Sequence, residues 1–456
     1  MDRLPASKYH AVWVVVLGIA MLIETYDNTV FAFLAPSIRA EWNLTLGQVG
    51  VITSAVFVGM MVGAIAGGRL SDRYGRRPVL IWASVLYSAM SLLSAIAPNY
   101  EVLTVSRVLT GVGVQAATGV VMVYAGEMFP KLVRGRAFSI LLFIGYFGTP
   151  LTALTALAIA PTGLGAWRWV FVIGAAGFLI AIAAALWLPE TVRWLVMRGR
   201  DAQAERIVER LEASVVRSGG TLGDVAPALP ATPQGSYRDL LQRHNLKRLI
   251  VTALAFCGYI YTAYGFLAWV PTILTDRGMP QAEALGFATV LSFSTVVGPL
   301  VMFSFTDKIE RKTTLLLTGL LCAASLVVFA FAPNPALSMV AGFGTQLGIS
   351  MMGAAFYTYI PEIFPTNIRG LGFGVVSGIA RVAGIISGLT IAVIYAGLGY
   401  QGLYVLLAVV ITAAGLLVAT LGPRTTNRSL ESISESSGGA SASTHESAHA
   451  PSTNRE

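Results

Sequence analysis

Five ionisable residues lie inside stretches that are otherwise apolar: Glu24, Asp27, Arg107, Glu127 and Arg381. Glu24 and Asp27 stand in "MLIETYDNTVF", three positions apart and so on one helix face. Two carboxylates that close repel when both are ionised, and loss of water disfavours charge, so one of them is expected to be protonated during part of a working cycle. Such a pair can take up and release a proton. Asp27 reads as a coupling or binding group; Glu24 reads equally as a coupling group and as a hydrogen-bond partner of a neighbouring helix. Arg381 carries a guanidinium that stays charged and grips carboxylates through two parallel hydrogen bonds. It reads as the holder of an anionic group, or as a lasting partner of Asp27 or Glu24. Arg107 lies nearer the end of its stretch and is open to three readings: a substrate contact, a snorkelling side chain or a gate. Tyr26, Tyr146, Tyr259 and Tyr264 supply ring faces and hydroxyls at similar depth, which suit an aromatic carboxylate; each taken alone reads also as packing. In "GYIYTAYGFLAW" only two of the three tyrosines Tyr259, Tyr261 and Tyr264 can share a face.

These residues must be held by elements that cross a bilayer. The chain is 55% hydrophobic and 12% charged, with mean hydropathy +0.70, beyond the range of an ordinary soluble domain. Twelve apolar runs approach the ~20 residues needed to cross ~30 Å of hydrocarbon, near 11–36, 47–70, 79–97, 101–124, 137–160, 167–188, 249–271, 283–305, 313–332, 336–360, 370–396 and 401–421. A charge at the centre of such a run costs about 2.5–3.5 kcal/mol on insertion scales, so each is read as functional and partnered. Of the 31 Lys and Arg residues, 26 fall in the ends and in the loops on one side, two in the opposite loops and three within helices. The positive-inside rule then places both termini in the cytoplasm of a multi-pass protein of the cytoplasmic, or inner, membrane. The net charge of +8 is thus topology and not a nucleic-acid footprint.

Other chemistries are poorly supplied. The start, "MDRLPASKYHAVW", lacks the parts of a cleavable secretory signal, so the first helix is expected to be retained. Cys257 and Cys322 have no evident partner, and the four histidines fall in loops or termini, which leaves no disulfide frame, metal cluster or intramembrane histidine relay. No phosphate-binding loop or nucleophile set appears, so neither an enzyme nor a cofactor is expected.

The chain repeats itself at an offset of 235. Ala97–Asn99 fall on Ala332–Asn334, Glu127 on Glu362, Phe129-Pro130 on Phe364-Pro365, Arg134-Gly135 on Arg369-Gly370, Asp72 on Asp307 and Arg76 on Arg311. The expected fold is all-α: two pseudo-symmetric six-helix bundles, 1–188 and 249–422, joined by a polar cytoplasmic loop 189–248 and followed by a Ser/Ala/Gly-rich tail, 423–456, expected to be disordered.

With "GGRLSDRYGRRPVL" between the second and third helices, this arrangement resembles the major facilitator superfamily over residues 10–422. "YDNTVFAFLAPSIRAEWNLT", "GFLAWVPTILTDRGM" and "YIPEIFPTNIRGLGFGVVSGIARVAGIISG" are similar to the aromatic acid:proton symporters and neighbouring carboxylate and nicotinate carriers, whereas "LPETVRWLVMRGR" resembles a motif of sugar porters. That aromatic-acid family usually carries Asp-Gly-Phe/Tyr-Asp in helix 1; here the positions hold Glu24, Thr25, Tyr26 and Asp27. The resemblance implies a latch between the halves at Gly68, Asp72, Arg73, Gly75, Arg76 and Arg77, with a weaker echo at Asp307, Arg311 and Lys312. Glu127 with Arg134, and Glu362 with Arg369, read as matching ion-pair networks that set state populations. The implied function is proton-coupled import of a small organic anion of the aromatic, benzoate-like class by a monomer working by alternating access. A sugar or polyol symporter, an exporter of metabolites or drugs, and a non-transporting receptor on the same fold are the alternatives.

Overall fold

The computed structural model describes residue 5 and residues 7–217, 221–222, 236–304, 308–365 and 367–423. Eleven of its helices are long and apolar enough to span a membrane. They are α1 (Lys8–Trp42), α2 (Leu46–Tyr74), α3 (Arg76–Ala95), α4 (Tyr100–Met128), α5 (Lys131–Thr162), α6 (Trp167–Trp187), α7 (Arg243–Leu267), α8 (Gln281–Phe303), α9 (Arg311–Phe331), α10 (Pro335–Glu362) and a last one, Arg369–Leu421. The last has 53 residues, roughly 80 Å of helix, far more than a bilayer accepts. It turns at Gly399, whose φ of 68° suits a residue without Cβ, and so forms two spans, α11 (369–398) and α12 (400–421). Twelve spans result, as the apolar runs imply. Two shorter helices, Val192–Met197 and Asp201–Arg217, lie in the loop between α6 and α7.

The repeat is visible in contacts. Asn99 and Asn334 cap α4 and α10 in the same way, each side chain accepting from the backbone three residues on. The hydroxyl of Tyr124 donates to Pro189 O and that of Tyr359 to Pro423 O. Tyr26 bonds Thr155 at 2.9 Å, and Tyr261, 235 positions later, bonds Thr390 at 2.8 Å. Each half therefore folds by one plan, and the cavity lies where the plan is broken between them.

The two bundles meet along one face of α2 and one face of α11. On α11, Gly370, Gly374, Gly378, Arg381, Gly384 and Gly388 share a side. A Cβ on Gly388 would strike Ser54, and Phe57 fills the space over Gly384. At Gly370, Gly374 and Gly378 a Cβ would meet nothing within 4 Å. α2 mirrors this: Gly50 lies against the carbonyl of Gly388, while Gly68, five turns away on the same face, meets nothing. The helices are thus packed on the side away from the basic loops and splayed on the basic side. Arg39–Asp276 at 2.7 Å, Gln281–Ser37 at 2.5 Å and Ser54 Oγ to Ile385 O at 2.7 Å join the halves in the packed region. The space between α2 and α11 is therefore open toward the basic side.

Candidate functional site

The acids of α1 are buried within the first bundle. Asp27 is 0% exposed; Ser91 of α3 donates to its Oδ1 at 2.8 Å, and Arg107 Nη1 of α4 stands 3.5 Å from the same oxygen. Arg107 Nη2 also donates to the backbone carbonyl of Asp27 at 2.6 Å, and the guanidinium lies 5.5 Å from the ring centre of Phe171. Asp27 Oδ2 has no hydrogen-bond partner. Glu24 sits about 4.5 Å closer to the basic side along the axis. Its Oε2 accepts from Thr118 of α4 at 2.7 Å, and its Oε1 has no partner. Each carboxyl is therefore buried with one oxygen bonded and the other without a partner among the described residues, where a proton can sit.

This corrects two expectations. The counter-charge of Asp27 is Arg107 and not Arg381: α4 crosses α1 at that level, whereas α11 packs on α2. Arg107, read as a possible substrate contact, is 1% exposed and turned into its own bundle. Tyr26 is likewise withdrawn, being fully buried with its hydroxyl shared between Thr155 and Val170 O. It neighbours Asp27 in sequence, but one residue is a turn of about 100° on a helix, and that carries its ring to α5 and α6.

Arg381 occupies a different environment. It is partly exposed on the α11 face described above, and its Nη1 stands 4.0 Å from Met60 Sδ of α2. Among the described residues no acid forms an ion pair with it. Tyr357 of α10 lies within electrostatic reach of Arg381 and Tyr264, and Tyr259 within reach of Tyr146, Tyr264 and Tyr357. Four phenols drawn from both bundles thus gather with one cation. Tyr357 is 48% exposed, and its ring meets those of Phe256 and Phe373. Tyr261 turns to Thr390 instead; Tyr264 reaches Phe57 of α2 and Asn28 of α1, while Tyr259, about 140° round α7, packs on Phe256 and Phe356. Tyr146 and Arg381 are 235 positions apart and so occupy equivalent places in the two bundles. The cavity cation is an asymmetry placed on a symmetric frame.

Two cavity residues escape the sequence reading. Tyr357 lies only five residues from the end of α10, too near the edge for a depth rule to select it. Asn28 donates from Nδ2 to Tyr264 at 3.5 Å, joining α1 to α7, and its Oδ1 is buried with no partner. Its adjacency to Asp27 was the available signal.

The loop motifs form a network on the basic side. Arg76 pairs with Asp72 at 3.1 Å and with Glu127 at 3.0 Å, and donates to Ser71 O. Thr191 donates to the other oxygen of Glu127 at 2.6 Å. The acceptor at the N-terminus of α3 is not a residue of the 68–77 motif itself. That role belongs to Glu190, which takes the backbone N–H groups of Arg76 at 2.9 Å and Arg77 at 3.3 Å, because "LPET" returns from α6 directly under the start of α3. Burial pushes the Glu190 carboxyl above its ordinary range, against the pull of those donors and of Arg76. Gly75, with φ of 107°, lets the chain turn over this carboxylate, which a Cβ there would strike. Trp194 and Arg198 donate to Asp72 O at 2.9 and 3.0 Å, while Arg73 leans on Tyr74 and Arg134 donates to Phe129 O. In the second bundle Glu362 stands 3.5 Å from Arg311, the repeat of Arg76–Glu127. Asp307 lies outside the described residues, as do 424–456 and parts of the central loop, and Arg369 opens α11.

A family model described as sugar (and other) transporter matches residues 16–436. The metabolite carrier candidate YyaJ of Bacillus subtilis (strain 168) is 32% identical over 428 residues, 93% of this chain and 95% of its own. The niacin transporter NiaP of Acinetobacter baylyi is 26% identical over 438 residues, covering 95% of this chain and 98% of that one. Among solved structures, the partially occluded inward-open form of the xylose transporter XylE from E. coli superposes with a TM-score of 0.75 over 93% of this chain and 100% of that one, at 19% identity. At that identity the likeness is one of fold.

Proposed function

Because the chain belongs to the sugar (and other) transporter family, we propose that it is a proton-coupled importer of a small organic acid anion of the aromatic carboxylate class. Family and fold make it a membrane transporter and not an enzyme. The observation that carries the proposal is Arg381: a guanidinium on the cavity wall, among phenols, with no acid of the described chain as its ion partner. A neutral sugar gives such a cation nothing to neutralise, whereas a carboxylate accepts from it through two parallel bonds and a ring stacks on tyrosine. The name of the relative NiaP adds support, since niacin is an aromatic carboxylate.

In this reading the proton binds at the open oxygen of Asp27 or of Glu24. A proton on Asp27 removes the attraction that holds Arg107 and loosens the contact of α1 with α3 and α4. The substrate's carboxylate closes on Arg381, and the bundles rock about that level, exchanging the packed α2–α11 contact for closure of the Asp72–Arg76–Glu127 side. Arg107 thus takes the coupling role and Arg381 the binding role. The protein works as a monomer in the cytoplasmic membrane, with its basic side and both termini in the cytoplasm.

The test is uptake by proteoliposomes under an imposed pH gradient, joined to a thermal-shift screen with benzoates, hydroxybenzoates, nicotinate, short carboxylates and hexoses. Aromatic acids should stabilise the wild type and not Arg381→Ala. Asp27→Asn should insert normally yet lose proton-driven uptake. Stabilisation by hexoses alone overturns the substrate class, and normal proton-driven uptake by Asp27→Asn overturns the coupling site.

A further inference from the structure

A second cavity, of about 210 Å3, lies on the basic side between the first turn of α1 and the end of the helix Asp201–Arg217. Lys8, Tyr9, Val12, Ser214 and Arg217 line it. Neither Lys8 nor Arg217 forms an ion pair with an acid of the described residues. Arg217, exposed at the end of its helix, donates from Nε to Ala213 O, a bond that does not occupy its two terminal nitrogens. Two cations from different segments, brought to one small cavity where no acid of the described residues pairs with either, suit an anion from outside the chain.

The surroundings identify which anion. Positions 8, 12, 15 and 19 recur at intervals of four, three and four, so Lys8 heads a single stripe of α1 continued by Val12, Val15 and Ile19. These three are 42%, 52% and 41% exposed, while Trp13, Val16, Leu17 and Ala20 on the other side of the helix are buried. The stripe therefore faces lipid, and Lys8 stands about 6 Å below Val12 along the axis, at the level of headgroups. An inorganic anion would use the cations and ignore the stripe. A phospholipid uses both, its phosphate between Lys8 and Arg217 and its acyl chain along Val12, Val15 and Ile19. Two cations further favour a headgroup with net negative charge over a zwitterion.

We propose that an anionic phospholipid of the leaflet on the basic side, phosphatidylglycerol in chemistry, docks here and ties the helix Asp201–Arg217 to α1. The site is remote from Arg381 and does not depend on what the protein transports.

The test is native mass spectrometry of the full chain released from phosphatidylcholine nanodiscs doped with phosphatidylglycerol, with thermal unfolding measured in the same discs. The wild type should retain phosphatidylglycerol over phosphatidylcholine and unfold later as its fraction rises. Each cation near an anionic surface is worth about a fivefold change in affinity, so K8Q/R217Q should bind about 30-fold more weakly, and K8Q and R217Q singly about fivefold. R206Q/R210Q removes the same charge from the same stripe of that helix, about 10 Å or more along the axis from Arg217 and outside the cavity lining, and should bind as wild type does. Equal retention of phosphatidylcholine by the wild type overturns the proposal, as does equal loss in R206Q/R210Q. Displacement by inorganic phosphate as effective as by added phosphatidylglycerol overturns it in favour of a free anion. Should K8Q/R217Q fail to fold, the single variants and the wild-type comparison decide.

Discussion

The pairing of Asp27 with Arg107 can be measured directly. Both groups are essentially inaccessible, at 0% and 1% exposure, and they share two contacts, the 3.5 Å approach to Oδ1 and the 2.6 Å bond to the backbone carbonyl. Arg107→Met keeps the length and apolar character of the side chain while removing its charge, leaving Asp27 with Ser91 alone. Breaking a buried pair by removing one partner costs about 3–5 kcal/mol, chiefly because the survivor is stranded without water. Asp27→Asn strands Arg107 in the same way and should cost a similar amount. The double variant strands nothing. It should therefore lose about as much as either single variant, and not their sum, which corresponds to a coupling of about 3 kcal/mol or more. The assay is a double-mutant cycle on unfolding of the purified protein in one detergent at one pH, with insertion and monodispersity checked for all four proteins. Arg381→Met is the internal contrast: partly exposed and without an acid partner, it should shift stability by no more than about 0.5 kcal/mol. Additivity of the Asp27 and Arg107 changes to within about 0.5 kcal/mol would refute the pairing as an energetic unit.

Two further outcomes follow from the contacts between helices. Gly388→Leu places a branched side chain where Gly50 and Ser54 now touch α11, so the packed side should open; a cysteine at Thr53 should react faster with a membrane-impermeant thiol reagent added on that side, and an unchanged rate would show that the α2–α11 contact does not close it. Glu190 tests which influence governs the turn before α3. Burial holds its carboxyl above the ordinary range, so its contribution to stability is present at and below about pH 4 and is lost as the pH rises through its raised value. Glu190→Gln should accordingly gain on the wild type in thermal midpoint as the pH is raised from about 4 to about 7; a variant that instead falls behind would show that the charge at the α3 N-terminus outweighs burial.

Much of this architecture is legible in the chain because lipid imposes a simple length rule. Each of the twelve apolar runs appears as a span, and the turn at Gly399 falls in the gap between the runs 370–396 and 401–421. The repeat is equally plain: Arg76 with Glu127 recurs as Arg311 with Glu362, since equal offsets in sequence become equal places in the bundles. The intramembrane charges also announce themselves, because a bilayer tolerates so few. Assignments that failed concern partners. The loop motif holds Asp72 for Arg76, yet the acid at the α3 N-terminus is Glu190, more than a hundred residues later.

From the sequence alone came the number of spans, the twofold plan and the short roll of charges that lipid cannot leave idle. Tertiary structure decided which of them meet. Periodicity orients a residue about its own helix axis but says nothing of which helix stands opposite, so the sequence offers Arg381 as the partner of Asp27 or Glu24 and leaves Arg107 as a substrate contact, a snorkelling side chain or a gate. Helix crossing settles it: α4 brings Arg107 to Asp27 inside one bundle, while the α2–α11 contact keeps Arg381 on the cavity wall with Tyr357. The same two guanidinium groups thereby become a buried counter-ion of Asp27 and a partly exposed cation without an acid partner among the described residues, the one to which we assign the substrate's carboxylate.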